Sequence, residues 1–197
     1  MAYRQYESKG LVLSGSDVGE QERLVELFTC ELGLIRAIAR GVRRENSKLR
    51  YGLTDFTVGT FSFVRGKELW RLTGAVAESN AYRELERMPE RQDALARIVS
   101  LVRRLVPGEE TNQELFDILL GAIAYLCSEA YTGERDDRFE IVTVLRILHT
   151  LGYVAKEAPY GTLLDSAELS ESVVADVTNI RKEMVEAINT SLRESQL

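Results

Sequence analysis

Residues that build catalytic and metal centres are scarce in this chain of 197 residues, which has 2 cysteines and 1 histidine. Cys30 and Cys127 are far apart and lack the spacing of metal ligands, which excludes a disulfide framework and fits a reducing cytoplasm. His149 stands alone, so Ser-His-Asp and Cys-His arrangements lack parts. The phosphate-cradling loops GxxxxGK[ST] and GxGxxG do not occur. We therefore expect no catalytic residues, no cofactor and no metal.

Long apolar runs are missing as well. The longest uncharged stretch of the apolar part, 118–128, is too short to span a bilayer. The N-terminus carries Arg4, Glu7 and Lys9 and no apolar core, so we expect no secretory signal. Hydrophobic residues make up 45% of the chain and charged residues 28%, which is the range of globular proteins with a buried core.

Charge is distributed unevenly along the chain. The net charge is -6, yet 1–83 is net positive and 84–197 is strongly net negative. Within the first part, 35–52 holds six Lys or Arg residues against one acid, Glu45. This asymmetry predicts two modules with different partners.

Short apolar segments separated by Gly, Asp, Ser and Asn fill the first eighty residues and predict β-strands. We expect strands at 10–15, 23–29, 34–40, 56–66 and 69–76. Alternation places Arg36 and Arg40 on one face of the third strand and Ile35 on the other. Five strands in about seventy residues favour a small closed barrel. A helix over 20–30 is the competing local interpretation.

From about residue 82 the apolar period becomes that of helices. The stripes predict helices over about 95–105, 111–130 and 138–151, and a last one from 173 onward. His149 lies late in the third of these helices, where a packed or capping role is favoured over a ligand role. The fold class is thus α+β, with a β-barrel domain at 1–80 followed by an all-α domain at 81–197.

The cationic stretch runs from a predicted strand face directly into the following loop. Such a contiguous track matches the phosphates of a nucleic acid, whose neutralisation releases counterions. Arg65, Lys67 and Arg71, in or between the fourth and fifth predicted strands, are further candidates for phosphate contacts if those strands are neighbours of the third strand. The full set is Arg36, Arg40, Arg43, Arg44, Lys48, Arg50, Arg65, Lys67 and Arg71. A solvated loop of long side chains is the alternative for 35–52.

Aromatic side chains near the cationic track offer faces on which bases stack. Alternation along the strands buries some of them, so each is favoured as a core residue. They are Tyr51, Phe56, Phe61, Phe63 and Trp70.

The order of these features resembles the bacterial recombination mediator family RecO. The resemblance rests on "GLVLSGSDVGEQERLVELFTCELGLIRAIARGVRRENSKL" (10–49), "LTDF" (53–56), "FVRGKELWRLTGAVAES" (63–79) and "FEIVTVLRILHTLGY" (139–153). It implies an N-terminal OB-fold, a C-terminal helical domain and no catalytic residues. It also implies binding to single- and double-stranded DNA, strand annealing, and loading of RecA onto DNA coated by single-stranded-DNA-binding protein (SSB). The implied partners are a RecR-like protein and the acidic C-terminal tail of SSB.

The sequence departs from the family after residue 153. Many members carry a C-x-x-C pair there and later cysteines that hold zinc, whereas "LGYVAKEAPYGTLLDSAELSES" (151–172) has no cysteine. The resemblance therefore does not carry zinc binding over, and the shortened segment after 155 leaves the RecR and SSB contacts open. An acidic tail would need local cations, for which Arg97, Arg103, Arg104 and Arg146 are candidates. We favour ordinary helix-surface roles for these four.

Two other functions stay open from the residues alone. One is a protein–protein adaptor in which the barrel is structural, and the other is an RNA-binding barrel protein.

Overall fold

The computed structural model describes residues 4–42, 47, 49–131 and 137–194. The chain forms two compact units, each with its own packing. The first, here the barrel unit, comprises Met1–Glu86 and Pro107–Gln113. The second, here the helical unit, comprises Arg87–Val106 and Glu114–Leu197.

The described part of the barrel unit has five strands: β1 Gln5–Val18, β2 Glu22–Thr29, β3 Gly33–Ala39, β4 Thr57–Arg65 and β5 Trp70–Asn80. They close into a barrel in the order β1-β2-β3-β5-β4. The neighbours pair antiparallel except β3 and β5, whose short parallel pairing joins Ala37 to Trp70 and Ala39 to Leu72. The predicted closed barrel and its strands are confirmed.

The competing prediction of a helix over 20–30 is wrong, because that segment is β2. Its Val25 and Leu27 are fully buried in the barrel core. Both edges of the strand are paired, since β2 is antiparallel to β1 on one side and to β3 on the other. Pairing to two distant segments therefore overrides the local helical pattern.

The third strand alternates as predicted. Ile35, Ala37 and Ala39 lie in the core, whereas the Arg36 side chain is exposed. The period of two thereby fixes cations on the outer surface of the barrel.

A segment that follows the first long helix in the chain packs back onto the start of β3. Gly33 has φ +68°, and a Cβ there would lie 2.3 Å from the carbonyl oxygen of Glu110. The Leu34 amide donates to the Gly108 carbonyl at 3.0 Å. Glycine is therefore required at 33 both by backbone conformation and by the close approach of 107–113.

The helices are α1 Ala81–Glu84, α2 Pro89–Leu105, α3 Gln113–Cys127, α4 Arg138–Thr150 and α5 Glu171–Glu194, with a 3-10 turn at Gly161–Leu164. The four long helices confirm the predicted apolar stripes. α4 ends one residue before the predicted 151, where Gly152 has φ +81° and the Tyr153 amide donates to the Leu148 carbonyl at 2.8 Å. Within the described residues, none of the helices combines the length and apolar character needed to cross a bilayer.

Two polar side chains of α4 hold the chain that follows it. His149 Nδ1 donates to the Val154 carbonyl at 2.8 Å, which is the capping role favoured from sequence. Arg146 is not the surface residue that we expected, because it is only 3% exposed. Its guanidinium donates to the carbonyls of Leu163 at 2.7 Å and Glu168 at 2.9 Å. The segment that carries these carbonyls folds back over α4. The apolar pattern of α4 alone does not show that a later segment covers Arg146.

Candidate nucleic-acid interface

Two arginines, one on the outer face of β3 and one directly after its end, are paired with glutamates of β2. Arg36 places Nη2 2.9 Å from Glu26 Oε1, and Arg40 places Nε 3.0 Å from Glu22 Oε1. Both arginines remain well exposed, with 66% and 62% of their side-chain surface accessible. Each guanidinium therefore keeps donors that face solvent, while part of its charge is compensated within the protein.

The last residue of β4 is a third arginine, and it is held in a fixed position. The guanidinium of Arg65 lies over the ring of Trp70, 4.6 Å from the ring centroid. It also forms an ion pair with Glu109, which in turn accepts a hydrogen bond from Trp70 Nε1 at 2.9 Å. Burial acts to raise the pKa of Glu109, but the hydrogen bonds from Arg65 and Trp70 lower it further, so the net shift is downward.

A cleft of about 470 Å³ opens where β3, β4 and β5 meet. It forms because Ile38 is in register with Arg71 on one side, and Val64 is in register with Arg71 on the other. We call it the basic cleft. Its lining residues are Ile38, Arg40, Val64, Arg65, Gly66, Lys67, Leu69 and Arg71.

The cations of the basic cleft differ in how far they are compensated. Arg40 and Arg65 are paired with carboxylates, whereas Lys67 and Arg71 make no ion pair within the part of the chain that the structure describes. Among the residues that the structure describes, none with a carboxylate lines the cleft. The cleft thus offers two uncompensated positive charges beside two partly compensated ones, which is an arrangement suited to an anion.

The other predicted DNA contacts lie outside the basic cleft or outside the described residues. Arg36 lies on the outer face of β3 but does not line the basic cleft. Arg50 lines a different cleft, and Arg43, Arg44 and Lys48 fall outside the described residues. Of the nine predicted residues, the basic cleft therefore gathers Arg40, Arg65, Lys67 and Arg71.

The second cleft, of about 550 Å³, is lined by Asp17, Arg23, Val42, Arg50, Tyr51, Leu53, Thr54 and Arg83. We call it the Tyr51 cleft. Sequence reasoning missed Arg23 and Arg83, because neither belongs to a run of cations. The sequence signal that could have indicated them was weak. It was their position near the ends of strands, with Arg23 at the start of β2 and Arg83 in the short helix that follows β5.

The aromatic residues near the track are mostly core residues, as alternation indicated. Phe61 and Phe63 are fully buried and Trp70 is 4% exposed. Tyr51, in contrast, is 69% exposed. Phe56 is half-buried, with its ring centroid 6.5 Å from that of Tyr82. Tyr51 is thus the most exposed of the five aromatic residues considered.

Metal-binding geometry is not found in the described ranges, where no group of three or more His, Cys, Asp or Glu side chains is placed to hold an ion. The donors at both clefts are instead guanidinium and ammonium groups, which bind anions.

Comparison with known proteins links this chain to one family. Residues 1–80 match the family model described as "Recombination protein O N terminal". These residues are therefore similar to the N-terminal domain of RecO proteins. The resemblance read from the sequence is thereby confirmed, and the five-stranded barrel with order β1-β2-β3-β5-β4 is its OB-fold.

Curated relatives extend the RecO similarity beyond the barrel. The chain is 32% identical over 153 residues to the DNA repair protein RecO of Roseiflexus sp., covering 78% of this chain and 52% of that protein. It is 33% identical over 150 residues to RecO of Heliobacterium modesticaldum, covering 76% and 52%. For RecO of Halalkalibacterium halodurans the identity is 31% over 122 residues, covering 61% and 47%. The chain spans about half the length of these curated relatives.

Proposed function

We propose that this chain is a non-catalytic DNA-binding protein of recombinational repair, which binds single and double strands through the basic cleft. The observation that carries the proposal is the convergence of Arg40, Arg65, Lys67 and Arg71 on one cleft, which no carboxylate of the described ranges lines. The RecO relatives, named DNA repair proteins, support it. The finer proposal, taken from the family, is strand annealing and RecA loading on SSB-coated DNA, with a RecR-like protein and the SSB tail as partners.

Phosphate groups fit the cleft better than bases do. Lys67 and Arg71 supply uncompensated charge, and the stacking of Arg65 on Trp70 presets one guanidinium for a bidentate contact. The wall residues between the cations are aliphatic, namely Ile38, Val64 and Leu69. Contacts of this type position a strand without reading its sequence, so sequence preference should be slight.

Annealing follows from the same chemistry. Two complementary strands repel each other through their phosphates, and a protein that neutralises phosphates on one strand lowers that barrier. Because the cleft grips the backbone, the bases of the bound strand stay available for pairing. The proposed annealing activity therefore needs no catalytic group.

The experiment is anisotropy of a labelled single-stranded oligomer bound by the full chain across a salt series. A Lys67→Ala/Arg71→Ala double variant should bind more weakly and flatten the slope of log K against log salt by about 1.4, since each single-strand phosphate contact contributes about 0.7. The matched control is Arg104→Ala, an exposed arginine on α2 of the helical unit. An unchanged slope in the double variant would contradict the assignment of the cleft.

Annealing is followed in the same samples with complementary oligomers that carry a fluorophore and a quencher. Faster pairing with the wild type than with the double variant supports the mediator role. Matched RNA oligomers are added as competitors, and preferential loss of the DNA signal to RNA would favour an RNA-binding protein instead. Absence of DNA binding at low salt overturns the proposal and leaves the adaptor function.

A further inference from the structure

The Tyr51 cleft has the composition of a nucleotide-binding subsite. Two of its lining residues are apolar and buried, since Val42 is 4% and Leu53 1% exposed. The exposed side chain of Tyr51 and two arginines, Arg50 and Arg83, also line it. A volume of about 550 Å³ lies within the range of pockets that hold small organic ligands.

The charges of the cleft separate into structural and available ones. Arg23 Nη2 lies 3.1 Å from Asp55 Oδ1, and its Nη1 lies 3.5 Å from Asp17 Oδ1. Its charge is therefore compensated within the protein. Arg50 and Arg83 form no ion pair with any residue that the structure describes. Arg50 and Arg83 therefore give the cleft positive charge that is open to an anionic group.

Arg83 is positioned by its backbone. It lies in α1, whose first residue follows Asn80, and the Arg83 amide donates to Asn80 Oδ1 at 2.9 Å. The side-chain Nδ2 of Asn80 in turn donates to Thr57 Oγ1 at 2.6 Å and to the Asp55 carbonyl oxygen at 3.0 Å. The backbone from which the Arg83 side chain extends is thereby tied to the start of β4.

The two clefts adjoin each other along the chain. Arg40 lines the basic cleft and Val42 lines the Tyr51 cleft. Two residues of chain span at most about 7 Å. Part of each lining therefore comes from the same short stretch of chain.

We propose that the Tyr51 cleft binds one unstacked nucleotide of single-stranded DNA, with its base against the ring of Tyr51 and its phosphate between Arg50 and Arg83. This inference rests on the proposed DNA-binding function and adds a base contact to the phosphate contacts of the basic cleft. Stacking is tolerant of sequence, since every base has a π-face. A duplex keeps its bases stacked on one another, so the subsite selects single strands.

The test compares Tyr51→Ala with the wild type for a single-stranded oligomer and for the duplex of the same sequence. We expect single-strand affinity to fall about tenfold, the loss of one stacked base, and duplex affinity to stay unchanged. Tyr51→Phe keeps the ring and should restore binding. Tyr153→Ala, which removes an exposed tyrosine of the helical unit, is the matched control and should change neither affinity.

A second readout reports the contact directly. A single strand that contains 2-aminopurine should change its fluorescence on binding to the wild type, through stacking on Tyr51, and this change should be reduced with Tyr51→Ala. Arg83→Ala should flatten the single-strand salt slope by about 0.7, the contribution of one phosphate.

The outcomes separate the subsite from the function on which it rests. If the wild type binds no DNA, the proposed function fails and the subsite fails with it. If the wild type binds but Tyr51→Ala binds single strands equally well, the subsite is overturned and the function stands. Equal loss for single strand and duplex also overturns it, because the ring would then act through the barrel rather than on a base. Circular dichroism melting identifies a variant that has not folded. If Tyr51→Ala has not folded, Tyr51→Leu, which keeps an apolar side chain but removes the ring, takes its place in the same comparison of single strand and duplex.

Discussion

Arg65 and Trp70 face each other across the end of the β4–β5 pair, and both reach the same carboxylate. The two residues are in register, the guanidinium lies 4.6 Å from the indole centroid, and Glu109 accepts from both side chains. A segment distant in sequence thus fixes one wall of the basic cleft.

The pH dependence of barrel stability should include Glu109. Hydrogen bonds from Arg65 and Trp70 hold its pKa below the ordinary value against the effect of burial. The stabilisation is therefore complete above the unfolded-state pKa, and it is lost as pH falls through the lowered folded-state pKa. Because Glu109 is 44% exposed, solvent screening keeps the contribution within about 1 kcal/mol.

Urea unfolding of the wild type and of Glu109→Gln between neutral and acidic pH measures this contribution. The difference in the free energy of unfolding should be greatest near neutral pH and should shrink in acid. Glu110→Gln, its exposed neighbour, should show no such pH-dependent difference. A gap between wild type and Glu109→Gln that persists undiminished in acid would contradict the role of the carboxylate charge.

Neutralising Glu22 should strengthen DNA binding. Glu22 compensates Arg40, with Nε to Oε1 at 3.0 Å, so Glu22→Gln frees that guanidinium for a phosphate. Surface pairs of this kind are worth about 0.5–1 kcal/mol, which corresponds to an affinity about two- to fivefold higher. Glu20→Gln makes the same change of net charge at an exposed position nearby. Anisotropy titrations that give equal gains for both variants would mean that only net charge matters.

Gly33→Ala should destabilise the barrel more than Gly19→Ala does. Both glycines have positive φ, but a Cβ at 19 meets nothing within 4 Å, whereas a Cβ at 33 meets the Glu110 backbone at 2.3 Å. Gly19→Ala should therefore cost about 1 kcal/mol of conformational strain, and Gly33→Ala about 1–3 kcal/mol more for the clash. Thermal unfolding compares the two, and equal costs would show that the 107–113 segment yields freely.

Removing Arg146 should destabilise the helical unit. Burial lowers its pKa to about 10, so the group stays charged at neutral pH, and its donors satisfy the carbonyls of Leu163 and Glu168. Arg146→Met keeps much of the volume but loses both charged hydrogen bonds, which should cost about 2–4 kcal/mol in the free energy of unfolding. Urea unfolding should show no comparable loss for Arg104→Met, whose side chain is exposed; equal losses would assign the effect to substitution in the helices generally.

Local pattern was sufficient for much of the fold. The period of two in β3 fixed which of Arg36 and Ile35 faces outward, and apolar stripes of period 3.6 located the long helices. The helix considered over 20–30 failed as a prediction because both edges of β2 are paired to other strands. A local pattern holds no information on such pairing.

The sequence by itself determined the α+β class, the exposed cations of β3 and the absence of a complete Ser-His-Asp or Cys-His set, because each of these follows from residue type and periodicity. Only the tertiary structure decided which cations share a cleft. Arg40 and Arg71 meet because β3 and β5 pair in parallel, and Arg50 joins Arg83 because the chain after β5 returns to the connection that precedes β4. The tertiary structure also decided which cations are compensated. Strand pairing brings Glu22 to Arg40, and a segment some forty residues away brings Glu109 to Arg65.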